Sequence, residues 1–136
     1  MIPTNENSIN VEELEISQYI DNDFKLDTEN NIIAGKVKGI DKLRQDILLV
    51  LNIERYNYII YDWNIGIETQ DLYGMPVEYV CSELEYRIID ALSVLDAIEE
   101  INNFEFDTTS KKRVVICSFT IKTKYGDYNY EKEVEY

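Results

Sequence analysis

Apolar residues recur along this chain with two periods, and the switches between them mark its elements. Ile40, Leu43, Ile47 and Leu51 stand at i, i+3, i+7 and i+11, with Asp41 in the first turn and Asn52 after the last apolar position. That spacing predicts a helix over 40–51 with a signal at each end. After Met75-Pro76 the helical period returns in Val80, Leu84, Ile88, Leu92 and Leu95, and Glu83 and Arg87 form a favourable i,i+4 pair on another face. Elsewhere the period is two. Alternation around Phe24 and Leu26 breaks at the turn-prone residues 27–31 and resumes over 33–37, which predicts two short strands. Residues 56–64 are dense in Tyr and Ile and read as a strand leading into a long surface loop punctuated by Gly66 and Gly74. Three runs near the end, 98–106, 113–124 and 127–136, are separated by turn-like residues 107–112 and by Tyr125-Gly126, and suggest an antiparallel meander.

The faces of those strands can be assigned. Val115, Cys117, Phe119 and Ile121 point one way and Ser118, Thr120 and Lys122 the other, as in a sheet with one dry face that helices would cover. In the last run Glu131, Glu133 and Glu135 share the outer face, a carboxylate ladder of the kind that guards an edge strand. The expected fold is a single α+β domain over 23–136, with two main helices packed on a small, mostly antiparallel sheet and no internal repeat. Residues 1–22 lack a clear period and read as a flexible or partner-docking N-terminal arm.

Composition narrows the possible functions. With 136 residues and 45% hydrophobic content the chain can bury a core without staples. No apolar run is long enough to span a membrane, and the first residues have neither a basic nor an apolar leader region, so a cytoplasmic start is expected. A formal net charge of −14, from 27 acidic and 13 basic residues, opposes binding to nucleic acid or anionic membranes and favours solubility or a basic protein partner. Cys81 and Cys117 lie in apolar-patterned segments, as buried reduced thiols do.

Most catalytic chemistry finds no footing. The chain has no histidine, which removes Ser-His-Asp and Cys-His nucleophiles and His-rich zinc sites. Asp21, Asp23 and Asp27 resemble a calcium loop only superficially, because Lys25 takes the next ligand position and the central glycine is missing. Lys36 and Lys38 between Gly35 and Gly39 do not have P-loop spacing. Neither a metal nor a cofactor is expected. Glu54, Glu68, Asp71, Glu83 and Glu85 could supply a facing carboxylate pair, though so acidic a chain offers such pairs by chance. Tyr56, Tyr58, Tyr61 and Trp63 suit either the core or aromatic anchoring at an interface.

The run IERYNYIIYDWNIGIETQDLYGMPVEYV, residues 53–80, resembles the central block of PBSX-type prophage baseplate proteins, a branch of the short, often lysozyme-like labelled wedge subunits of contractile tails. The likeness extends through IIAGKVKGIDKLRQDILLVLN before it and SELEYRIIDAL and FTIKTKYGDYNYEKEVEY after it. It rests on the combined order of Glu-Arg-Tyr, Tyr-Asp-Trp-Asn-Ile-Gly, Leu-Tyr-Gly-Met-Pro and Tyr-Gly-Asp followed by Glu-Lys-Glu-Val. The resemblance implies a non-enzymatic structural subunit of a phage tail or tail-like bacteriocin, present in several symmetry-related copies, assembled in the host cytoplasm and then resident in the baseplate. Its implied partners are other wedge proteins, the tail sheath and tube or hub proteins, and its implied mechanism is strand addition to the first sheath ring. The alternative is a peptidoglycan-cleaving enzyme with paired carboxylates, which the inherited label suggests. Broader members carry a Glu-Pro-Arg signature after the long helix; here Leu95-Asp96-Ala97-Ile98 stands there, so that motif's contacts do not carry over. Glu54, Arg55, Tyr56, Trp63 and Gly66 lie in the most distinctive block and are expected to shape an exposed turn that meets partners. A plainer reading has Glu54 and Arg55 paired and Trp63 in the core.

Overall fold

The computed structural model describes residues 22–136; the expected N-terminal arm lies outside the described residues, apart from Asn22, which opens the first strand. In chain order the elements are β1 (Asn22–Asp27), β2 (Ile32–Lys38), α1 (Gly39–Asn52), α2 (Val77–Leu92), β3 (Ile98–Asp107), β4 (Val114–Thr123) and β5 (Gly126–Glu135), with a short 3-10 turn at Gln70–Leu72. This is the α+β arrangement expected from the periodicities. The strands divide into two antiparallel sheets, the hairpin β1–β2 and the meander β3–β4–β5 with β4 in the centre.

The meander carries the alternation read in the sequence. Val115, Cys117, Phe119, Ile121 and Thr123 of β4 are buried, and Val134 of β5 joins them. Onto this face α1 lays Leu43, Ile47, Val50 and Leu51, and α2 lays Val80, Leu84, Ile88, Ala91 and Leu92. Burying such side chains contributes about 1.5–3 kcal/mol each. Phe119 stacks with Phe104 of β3 at 5.3 Å and meets its cross-strand partner Tyr130 at 5.8 Å, so one aromatic row ties the three strands together. Both thiols are free; burial pushes Cys117 up to about 12, a chemically quiet core position.

Two sequence expectations need correction. The helical period continues to Leu95, but α2 ends at Leu92, where the Ser93 hydroxyl donates to the Asp90 carbonyl at 2.6 Å. Leu95 still packs on the core because the chain turns there, its N–H bonded to the Leu92 carbonyl at 3.1 Å. The strand expected over 56–64 is absent. That segment is a chain of turns, with Asn57, Tyr61 and Ile65 donating to the carbonyls of Glu54, Tyr58 and Asp62. Strand propensity expresses packing beside a neighbouring strand, and no described strand lies alongside these tyrosines and isoleucines.

Candidate partner interface

The loop between α1 and the 3-10 turn is built from its base upward. The α1 end is closed by Asn52, whose amide donates to the Leu48 carbonyl at 2.7 Å. Immediately beyond, the two ends of the loop pair as an isolated parallel bridge between Glu54 and Ile67. Ile67 N–H donates to the Ile53 carbonyl at 2.9 Å, and Arg55 N–H donates to the Ile67 carbonyl at 3.1 Å. Gly66 is required by that closeness: a Cβ on it would stand 2.6 Å from the Ile53 carbonyl oxygen, and its φ of +107° disfavours any L side chain.

Side chains lock the same base. Glu54 accepts from the backbone N–H groups of Thr69 and Gln70 at 2.7 and 3.0 Å and from the Thr69 hydroxyl at 2.7 Å. Arg55 donates to the Gly66 carbonyl at 3.0 Å through Nη2 and pairs with Asp90 of α2 at 2.9 Å through Nη1. A second clamp sits one turn earlier on α2. Arg87 bonds Asp71 at 3.0 Å, Glu83 at 3.2 Å and the Glu68 carbonyl at 3.0 Å, so one guanidinium holds the 3-10 turn against the helix. The hydrogen bond from Arg87 holds the Asp71 carboxyl below its ordinary range.

Above this base the loop faces outward. Tyr56 and Trp63 are 63% and 76% exposed, and Ile59 and Ile60 are almost bare at 103% and 84%. The five residues singled out in the sequence therefore split into two groups. Glu54, Arg55 and Gly66 form the scaffold, with Glu54 and Arg55 bonded to different partners rather than to each other; Tyr56 and Trp63 are on the exposed tip, outside the core. Sequence reasoning missed Thr69, Asp71 and Asp90 as partners of this scaffold. Arg87 was visible only through its i,i+4 spacing to Glu83, because its other contacts cross from one element to another.

Three of the five carboxylates weighed as a lytic pair have other engagements. Glu54 is held by Thr69 and Gln70, while Asp71 and Glu83 are held by Arg87. The lowered Asp71 pKa is opposite to what a general acid needs.

The sheet edges are the other exposed feature. β5 pairs with β4 in unbroken register from Gly126 to Glu135, whereas β3 pairs with shifts between Ile98 and Glu100 and between Asn102 and Glu105. Glu131, Glu133 and Glu135 are exposed on β5 as the alternation predicts, and Lys111 reaches Glu133 at 2.6 Å.

Comparison with known proteins decides the family. Residues 18–126 match the contractile injection system sheath initiator family. The chain is a member of that sheath initiator family. A curated relative, the phage-like element PBSX protein XkdS of Bacillus subtilis (strain 168), is 30% identical over 115 residues, covering 82% of this chain and 80% of its own length. As a sheath initiator the chain has a structural role at the start of a contractile sheath, in a phage-type tail particle. Between α2 and β3 the chain turns, with Ala97 buried and its carbonyl accepting from Lys124 N–H at 3.1 Å.

Proposed function

We propose that this sheath initiator is a baseplate wedge subunit, present in symmetry-related copies, that starts the sheath by accepting a strand along β5 and meets larger wedge proteins through its 56–63 loop. The observation that carries the reading is the contrast between the two sheet edges. β5 offers a ten-residue edge, paired in unbroken register with β4 on one side and with no described strand on the other, while the register shifts in β3 make the opposite edge a poorer template. Edge addition supplies main-chain hydrogen bonds, and side chains on alternate positions supply selectivity. Here the alternate positions are Glu131, Glu133 and Glu135, which select a strand with Lys or Arg at alternate sites and repel acidic ones, other copies of this chain included.

The triple variant Glu131→Lys, Glu133→Lys, Glu135→Lys tests this. All three side chains face solvent, so the variant is expected to fold with an unchanged circular dichroism spectrum. In producing cells it should enter baseplates yet yield particles with little or no assembled sheath by electron microscopy. Sheathed particles at normal frequency would remove β5 as the docking edge.

A further inference from the structure

Basic residues are scarce in this chain, 13 against 27 acidic ones, yet four of them line a single cleft. Lys25, Lys36, Lys38 and Arg44 surround about 730 Å³ between the β1–β2 hairpin, α1 and the start of β5, a volume within the range of ordinary binding clefts, about 300–1,000 Å³. Leu26, Val37, Leu48, Tyr128 and Tyr130 supply its apolar lining, and each is only part-buried, so this surface is open to incoming side chains. Asp41 is the one carboxylate of the lining; Arg44 stands 3.6 Å from it and 4.9 Å over the Tyr128 ring. Among the described residues Lys25, Lys36 and Lys38 take part in no salt bridge.

We propose that this cleft docks a short acidic segment of a partner protein, an extended stretch in which Asp or Glu alternates with Leu, Ile or Phe. Alternate side chains of an extended segment point to opposite sides, so its apolar ones meet Leu26, Val37 and the two tyrosines while its carboxylates reach the exposed lysines. Both halves are needed. Exposed ion pairs alone are weak, and the apolar lining supplies the burial that holds the segment in place. Charge argues against bulkier occupants: a nucleic acid, or a second copy of a chain at net charge −14, meets repulsion from the whole molecule. A short segment answers instead to the cations within a Debye length of it, about 8 Å at physiological salt. The cleft is opposite in sign to the Glu131, Glu133 and Glu135 row of β5, so the two surfaces take different partner segments, and this one stands whether or not β5 accepts a strand.

Fluorescence anisotropy on the full chain tests the proposal, with a labelled peptide of alternating Glu and Leu as the probe. The peptide should bind, and Lys36→Glu with Lys38→Glu should weaken it at least about tenfold while the circular dichroism spectrum stays unchanged, since both side chains are exposed. The same peptide with Ser in place of Leu should bind at least about tenfold more weakly, because it leaves the apolar lining uncovered. No binding by the unaltered chain, binding indifferent to the two reversals, or equal binding of the Ser peptide would overturn the proposal, the last by reducing the cleft to a general anion site. In purified tail particles, carbodiimide coupling of lysines to carboxylates should join Lys36 or Lys38 to an acidic segment of another protein. No link, or links only to carboxylates of this chain, would overturn the assignment to a partner.

Discussion

At the scale of single residues, the most distinctive block of the sequence is a lesson in what a motif encodes. Glu54, Arg55 and Gly66 are constrained by the closure of the loop, through bonds and close backbone approach across its base. Gly66→Ala makes this measurable. The added methyl must push the Ile53 carbonyl away from 2.6 Å and the backbone must keep a φ that alanine disfavours, a cost of more than about 2 kcal/mol. Denaturant melts should show that loss with little change in the slope. An alanine variant as stable as the original would mean that the loop base relaxes freely and that Gly66 has another reason to be there.

At the scale of elements, both helices and the meander could be read from period alone, because each buries one face and leaves the other wet, while the hairpin follows its alternation and turn residues although its apolar side chains stay largely exposed. The burial of Val115, Cys117, Phe119 and Ile121 follows the alternation residue by residue. The 56–64 segment failed for the same physical reason: its tyrosines and isoleucines have no strand to pair with, and a propensity cannot report a missing neighbour. Its inter-element anchors, Asp90 and Thr69, were also illegible, since no local pattern links them to residues 54 and 55. The exposed tip then becomes the informative part. Ile59→Ser with Trp63→Ala removes two large apolar side chains that are already out of the core, so the melting temperature should stay within a few degrees, about the range of an ordinary surface change. Incorporation into baseplates, measured as the fraction of the protein that sediments with tail particles, should fall at least about tenfold if these are interface anchors. Undiminished incorporation would reject the tip as a partner contact.

At the scale of the whole molecule, the two sheets are not equally supported. The meander has a helical layer on its dry face, whereas the hairpin leaves Phe24, Ile32 and Ile33 largely exposed and adds no side chain to the core clusters of the described residues. Gln45 is the chief link: its Oε1 accepts from Leu26 N–H at 2.9 Å and its Nε2 donates to the Phe24 carbonyl at 2.8 Å, satisfying both backbone groups where the β1–β2 register shifts. Removing that amide with Gln45→Ala leaves the core side chains of α1 in place, so global stability should change by less than about 1 kcal/mol. Local opening is another matter. The β1 and β2 amides should exchange several-fold faster in the variant, with β4 amides unaffected, because the hairpin opens as a unit of lower stability than the body beneath it. Equal acceleration across both sheets would instead show one cooperative unit, and the hairpin would then have to be counted as part of the core that positions β5 for its partner.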